Sequence, residues 1–273
     1  MSNIMRFGGR AGGGGNKESA SLTPKPGVMY TNGLSGLGPA VLSLMSAIIS
    51  NNSDITDTTT TVYVDYGDIH RKIDVGSQVT LSLNGTNYAF DIIGFNHDTL
   101  TTAAAYGANT ATGKAGITFQ MHDLFAAIYP MNSTNTNSGG WKSSDMRTST
   151  MATMKGYLPA AWQTVIKPVN KASGLGGGSS SGTETVSDSC FLLAEIEVFG
   201  STTYSVSGEG TQYAYYKAGN SKVKSMTNNS AYHWWERSPY SGNGNSFCFV
   251  TMSGAAAYSN PTSKPLIAFA FCV

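Results

Sequence analysis

The C-terminal part of the chain carries the segment Trp234-Trp235-Glu236-Arg237-Ser238-Pro239 and, after it, two apolar runs at Phe247–Val250 and 266–273. Short apolar runs bounded by Gly, Asn, Ser and Pro predict β-strands. Trp is largely buried in most proteins. We therefore expect Trp234 and Trp235, with Arg237 beside them, to be scaffold residues that organise a core.

Alternating side chains predict further strands upstream. Residues 60–66 alternate β-branched and aromatic side chains, and residues 78–83 alternate polar and apolar ones. Asn84-Gly85 fits a two-residue hairpin turn into residues 88–95. Further predicted elements are strands at 190–199 and 213–216 and helical segments at 144–157 and 158–169. The pattern predicts an α+β fold of antiparallel strands with a few helices.

Three regions are expected along the chain. Residues 1–27 are Gly-rich and predict a flexible arm that serves as a tether or an assembly peptide. Residues 28–57 contain one short helix at 39–49, whose broad apolar face must be buried on its own domain or on copies in an oligomer. Residues 58–273 form the main domain, in which the Gly/Ser-rich stretch at 173–188 is expected to be a surface loop.

Composition excludes some classes of function. The 273 residues carry 17 Lys and Arg against 16 Asp and Glu, and charged residues are only 12% of the chain. No basic stripe accumulates, so we expect no nucleic-acid partner. Residues 1–15 lack the apolar stretch of a secretory signal, and the apolar run at 39–49 is too short to span a membrane. We expect synthesis in the cytosol and no membrane insertion.

The polar surface must be built from small residues and tyrosines, because charged residues are scarce. Such surfaces are typical of recognition proteins and also of turn-rich β proteins. The three cysteines, Cys190, Cys248 and Cys272, lie in apolar, strand-like runs. An odd count argues against a complete disulfide framework, so we expect buried thiols.

The C-terminal segment resembles a C-type-lectin-fold family of phage and bacterial proteins marked by a Trp-Trp-x-Arg-Ser-Pro signature. In that family an Asn/Gly/Ser-rich loop, a strand, a turn and a terminal Arg/Lys-Pro strand follow the signature. Lys264-Pro265-Leu266 matches the last of these. Upstream stretches that also look familial are 92–98, 140–147 and 191–195, so the resemblance covers residues 75–273. It implies a C-type-lectin-like fold, related to the formylglycine-generating enzymes, and assembly as a homotrimer.

The family that the segment resembles also includes the variable proteins of diversity-generating retroelements, whose C-terminal domain contacts ligands from a rigid scaffold. It implies a ligand-binding face between residues 240 and 260 here. Tyr gives a large contact area at low entropic cost, while Ser and Asn adapt their hydrogen bonds. The candidate binding residues are Tyr240, Ser241, Asn243, Asn245, Ser246, Thr251, Ser253, Tyr258, Ser259 and Asn260. The alternative is that residues 240–245 are simply a turn-rich loop.

Metal and cofactor chemistry finds little support in the sequence. Asn260-Pro261-Thr262 lacks the carboxylates that a calcium-dependent sugar site needs. The two His-Asp dipeptides, His97-Asp98 and His122-Asp123, are expected to be polar partners at loop ends rather than metal ligands. We expect no metal, no cofactor and no catalytic residue.

These observations lead to one leading hypothesis and two alternatives. The leading hypothesis is a phage virion protein of the tail tip, tail fibre or head decoration. It would bind a host-surface protein or glycan and contact other virion proteins through residues 1–27. The first alternative is a capsid or tail cement protein. The second is an oxidase of the formylglycine-generating type, with Cys248 and Cys272 paired on neighbouring strands.

Overall fold

The antiparallel strands predicted from the sequence dominate a computed structural model that describes residues 18–102 and 112–273. The architecture is α+β, with mostly antiparallel sheets and few helices. Most of the predicted arm, residues 1–17, lies outside the described residues.

The first sheet joins the N-terminal segment to the predicted main domain. Its strands are β1 (Ser19–Ser21), β2 (Thr31–Asn32), β3 (Thr61–Tyr66) and β4 (Ile69–Asp74), in the order β1-β3-β4-β2. Strand β1 lies within the predicted arm and pairs antiparallel with β3. The arm prediction is therefore wrong for residues 19–21, and the predicted boundary at residue 58 separates strands that share one sheet.

Helix α1 (Pro39–Ser50) is buried against the chain's own core. Its Pro39 occupies the first turn, where a missing N–H costs nothing. Leu42, Met45 and Ile49 are fully buried, and the Ser46 hydroxyl donates to the carbonyl of Val273. Of the two alternatives for the apolar face of this helix, the structure therefore shows burial on its own chain rather than on another copy.

A five-stranded sheet forms the centre of the molecule. Its order is β10 (Cys190–Phe191), β16 (Ala270–Cys272), β7 (Ile117–Met121), β6 (Thr86–Phe95) and β5 (Gln78–Leu83). The predicted turn at Asn84-Gly85 is confirmed: both residues have positive φ, 48° and 85°, as a type I′ hairpin turn requires.

The predicted C-terminal strands form a three-stranded sheet of β13 (Trp234–Pro239), β14 (Phe247–Val250) and β15 (Ala256–Ser259). The register between β13 and β14 shifts between Trp235 and Pro239. Two smaller hairpins pair β8 (Val169–Gly174) with β9 (Thr183–Asp188) and β11 (Lys224–Ser225) with β12 (Ala231–Tyr232). The prediction of a surface loop at 173–188 is therefore wrong at both ends, because residues 173–174 belong to β8 and residues 183–188 belong to β9.

The remaining helices are short. They are α2 (Gly140–Ser143), α3 (Met151–Tyr157, preceded by a π-helical turn at Met146–Thr150), α4 (Ala160–Gln163), α5 (Glu195–Phe199) and α6 (Ala214–Lys217). The strand predictions at 190–199 and 213–216 are wrong beyond Phe191, because residues 195–199 form α5 and residues 214–217 form α6. The Glu197 carboxylate accepts the amide of Ala194 at 3.0 Å, a local capping bond at the start of α5. Among the described residues, no helix is long and apolar enough to cross a membrane.

Candidate binding surface

The scaffold of the C-terminal region is a buried arginine in β13. Trp234, Trp235 and Arg237 are all fully buried. The Arg237 guanidinium binds both carboxylate oxygens of Glu197, at 2.5 and 2.9 Å, and three main-chain carbonyls. Burial alone would raise the pKa of Glu197, but Arg237 and Lys171 together hold it below its usual value. All five guanidinium N–H groups are therefore used within the core.

A second cation extends this network. The Lys171 ammonium donates to Asp98 and Glu197, both at 2.7 Å, and to the Tyr213 hydroxyl at 3.2 Å. Asp98 also accepts the Thr118 hydroxyl at 2.6 Å. Burial would raise the pKa of Asp98, but Lys171 and His97 outweigh it and hold the pKa well below its usual value.

A cleft of about 280 Å³ opens over this network. His97 lies at the cleft, stacked on Tyr213 with the ring centroids 3.8 Å apart, and its Nε2 lies 3.0 Å from the carbonyl oxygen of Thr211. The charged groups below are satisfied by each other, with the three ammonium hydrogens of Lys171 each directed at a partner. Such a closed network stabilises a structure and leaves its cations no donor for a substrate.

Glu236 contrasts with this network. It is fully buried between Trp235 and Arg237 in sequence, and neither carboxylate oxygen has a hydrogen-bond partner among the described residues. Burial, followed by the nearby Glu195 and Glu209, raises the pKa of Glu236 well above its usual value. The environment of Glu236 therefore favours the neutral carboxyl form over the carboxylate.

Three tyrosines lie close together beside the C-terminal sheet of β13, β14 and β15. The rings of Tyr240 and Tyr258 stack with centroids 4.0 Å apart and planes 14° from parallel. Tyr204 packs edge-on against both, at 5.9 and 5.1 Å. Tyr258 remains 43% exposed, and the other two rings are half-buried. We call these three residues with the loop 240–246 the tyrosine surface.

A buried asparagine fixes the loop of the tyrosine surface. The Asn137 side-chain amide donates to the carbonyls of Tyr240, Asn243 and Ser246 at 3.3, 3.0 and 2.7 Å. Its oxygen accepts the amide of Gly177 at 2.7 Å. Because Asn137 has no exposed surface, these bonds are shielded from water and hold the loop in one conformation.

The stretch at 174–178 packs against the tyrosine surface and is not a loose loop. Gly176 is buried with φ at +70°, and a β-carbon there would overlap the main-chain carbonyl oxygen of Asn137. Gly178 packs against the backbone of Asn243 and Gly244. Glycine is therefore required at 176 by close backbone approach.

A second buried side chain holds Tyr204. The Glu195 carboxylate accepts the amides of Thr203, Tyr204 and Ser205 at 2.8 to 3.1 Å. The Tyr204 carbonyl in turn accepts both the amide and the hydroxyl of Ser241, at 2.9 and 2.8 Å. These bonds join the Tyr204 segment to the loop 240–246.

The structure brings together only some of the residues predicted to bind. Tyr240, Ser241 and Tyr258 lie in the tyrosine surface. Asn243 and Asn245 follow in the same loop, where the Asn243 side chain accepts the amide of Asn245 at 3.1 Å. Asn245 is exposed, whereas Ser246 is buried and contributes its carbonyl to the loop.

The other predicted residues lie further out. Thr251 and Ser253 form the turn at the opposite end of the β14–β15 hairpin, with their hydroxyls 2.9 Å apart. Ser259 bonds to Ser263, and Asn260 is exposed beyond the end of β15. Thr251 and Ser253 are therefore separated from the tyrosine surface by the length of the hairpin.

Sequence reasoning missed Tyr204, Asn137 and Glu195. Tyr204 lies 36 residues before Tyr240, in a Ser/Thr-rich stretch with no strand pattern. The NSTNTNSGG run that contains Asn137 does signal turns, but nothing local shows which amide is buried. All three depend on long-range contacts that leave no periodicity in the sequence.

The cysteines are buried, and the histidines have partners within the protein. All three thiols are free and buried, and burial raises the pKa of Cys190 to about 12. Cys248 lies in the C-terminal sheet and Cys272 in the central sheet, so the neighbouring strands expected for an oxidase pair are absent from the described fold. His122 pairs with Asp91 at 2.8 Å rather than with Asp123. In residues 18–102 and 112–273 no group of three His, Cys, Asp or Glu is placed to hold a metal ion.

Comparison with known proteins yields one family. The family model DUF6273, a domain of unknown function, matches residues 115–271, which is more than half of the chain. The matched range includes the tyrosine surface, Asn137 and Arg237. Comparisons with curated proteins and with solved structures each found no match. The chain therefore belongs to the DUF6273 family.

Proposed function

We propose that this member of the DUF6273 family is a bacteriophage virion protein of the tail tip, tail fibre or head decoration that binds a receptor on the host surface. Its domain is proposed to have the C-type-lectin-like fold that the WWERSP segment suggests. The observation that carries the proposal is the tyrosine surface, an exposed aromatic cluster on a loop held by buried hydrogen bonds.

Preorganisation supports a binding role. A loop that is ordered before it meets its ligand loses little conformational entropy on binding. Asn137 and Glu195 supply that order from beneath, and the three rings pack against each other. Tyr204, Tyr240 and Tyr258 thus offer rigid contact area, and the amide and hydroxyl groups around them offer adaptable hydrogen bonds.

The buried groups support binding rather than catalysis. The charged network around Arg237 and Lys171 is closed, so its cations have no donor free to polarise a substrate. Burial raises the pKa of Cys248 and Cys272 well above the usual value of a thiol. Both thiols therefore stay protonated, which disfavours nucleophilic or metal-binding chemistry.

Binding of the purified full-length protein to a panel of bacterial cells tests the proposal. We expect the triple variant Tyr204→Ala, Tyr240→Ala, Tyr258→Ala to lose at least about thirtyfold in affinity, since truncation of even one aromatic anchor costs about 2 kcal/mol. The matched control is Met29→Ala with Ile128→Ala, two exposed apolar side chains outside this surface. Equal binding by the triple variant and the wild type would refute a receptor role for this surface.

The cement hypothesis predicts a different defect. Particles that carry the triple variant would then lose stability, whereas the receptor hypothesis predicts intact particles that fail to adsorb. The proposal also includes assembly as a homotrimer and contact with other virion proteins through residues 1–27. Sedimentation equilibrium of the full-length protein distinguishes a trimer from a monomer.

A further inference from the structure

Four segments that surround the tyrosine surface share one property. The segments 131–140, 174–182, 200–208 and 240–263 contain no Asp, Glu, Lys, Arg or His. All four lie in the described part of the chain, although charged residues make up 12% of the whole sequence. We call them together the charge-free patch.

Hydrogen bonds bring these segments together at one place. Asn137, in the first segment, accepts the amide of Gly177 in the second and donates to the loop 240–246 in the fourth. Ser241 donates to the carbonyl of Tyr204 in the third. The absence of charge is therefore shared by segments that meet around the tyrosine surface, while the turn at 251–255 lies at the far end of the β14–β15 hairpin.

Charged groups occur at the limits of the patch and beneath it: some are paired or buried, whereas Lys264 and Asp145 are exposed. Glu184 follows the second segment and pairs with Lys142 at 2.8 Å. Lys264 follows the fourth segment and is exposed. Beneath the patch, the Glu195 carboxylate is fully buried and occupied by the amides of the Tyr204 segment. No ion pair is thus offered to a ligand from within the patch itself.

We infer that the tyrosine surface and the charge-free patch around it bind an uncharged, hydroxyl-rich polysaccharide. This inference rests on the proposed function and specifies its ligand. A charged polymer would lose hydration on such a surface without gaining a counter-charge. A protein partner is the other class of ligand that such a surface can take, and protease treatment of the cells distinguishes it.

The groups that the patch does offer match sugar rings. Ser, Thr and Asn side chains both donate and accept hydrogen bonds, as the hydroxyls of a neutral sugar do. The tyrosine rings supply flat apolar area for the C–H faces of such rings. Asn137 and Glu195 keep these groups in place before the ligand arrives, so a weakly interacting neutral ligand loses little affinity to ordering of the loop.

Charge substitutions at Asn245 test the inference most sharply. Asn245 is exposed, and only its main-chain amide takes part in the loop's hydrogen bonding. For an uncharged ligand, Asn245→Lys and Asn245→Asp do not change affinity for host cells in opposite directions. For an anionic or cationic ligand, one variant strengthens binding and the other weakens it.

Salt and surface treatment complete the experiment on cells that bind the wild-type protein. From about 0.01 to about 1 M NaCl the Debye length falls from about 30 to about 3 Å, and we expect affinity to change less than about twofold. Periodate oxidation of the cell surface should abolish binding, and protease treatment should not. Binding to immobilised dextran or mannan, but not to alginate or chitosan, would be direct support.

The two proposals fail in different ways. Opposite effects of Asn245→Lys and Asn245→Asp, steep salt dependence or loss of binding after protease treatment would overturn the uncharged polysaccharide, and the receptor function would stand. Binding that is indifferent to the triple tyrosine variant would overturn both.

Discussion

Two buried carboxylates of the same core, Glu197 and Glu236, have pKa values that are shifted in opposite directions. Glu197 and Glu236 are both buried, but Arg237 gives Glu197 a bidentate partner and leaves Glu236 with none. The first therefore stays ionised, while burial raises the pKa of the second well above its usual value. The sequence places Glu236 directly beside Arg237, yet strand geometry sends the two side chains in different directions.

Glu236 predicts a specific pH dependence of stability. Its pKa is raised in the folded protein, so above about pH 4.5 the unfolded chain releases a proton that the folded chain keeps. Stability should therefore fall as pH rises, by up to about 1.4 kcal/mol per pH unit, until the folded pKa is reached. We expect the advantage of Glu236→Gln over wild type, measured by urea unfolding, to grow from pH 4.5 to pH 8. An advantage that does not change with pH would contradict a buried, neutral Glu236.

At the scale of elements, the β8–β9 hairpin shows why Gly/Ser-rich composition predicted a surface loop where the structure has strands and close backbone contacts. The run at 173–188 has the Gly and Ser content of a surface loop. In the fold, its ends are strands and its glycines lie against Asn137 and the loop 240–246. Glycine is used both where the chain is loose and where two backbones touch, and only tertiary contacts distinguish these uses.

Substitution of two adjacent glycines allows the cost of backbone strain to be measured apart from the cost of steric overlap. Gly176 and Gly177 both have positive φ, +70° and +67°, but a β-carbon at 176 overlaps the Asn137 carbonyl while one at 177 meets nothing within 4 Å. We expect Gly177→Ala to cost about 1 kcal/mol of unfolding free energy through strain alone. Gly176→Ala should cost about 2 kcal/mol more, because the β-carbon overlaps the main-chain carbonyl of Asn137 and forces the backbone there to shift. Equal losses in chemical denaturation would mean that the close approach does not exist.

At the scale of the whole molecule, the sequence predicts what local patterns control. The hairpin turn at Asn84-Gly85, the C-terminal strands and the buried thiols all follow from short-range signals, and the structure confirms them. The sheet order and the tyrosine surface do not, because they join residues far apart in the chain. Asp98 and Tyr213, whose side chains meet at 2.9 Å, are 115 positions apart. Such pairings depend on packing rather than on periodicity, which also explains why the helix at 39–49 was open to two interpretations.

Burial of α1 predicts that the N-terminal sheet and the C-terminal region unfold together. All four tryptophans lie at or beyond Trp141, so their fluorescence reports only the C-terminal region. Leu42→Ala removes a fully buried side chain from α1 and should lower the unfolding free energy seen by this fluorescence by about 2–5 kcal/mol. Met29→Ala, at a side chain that is 91% exposed, is the control and should leave the transition unchanged. If α1 instead packed on a second copy, the Leu42→Ala effect would vary with protein concentration; a concentration-independent shift is what a helix buried in its own chain requires.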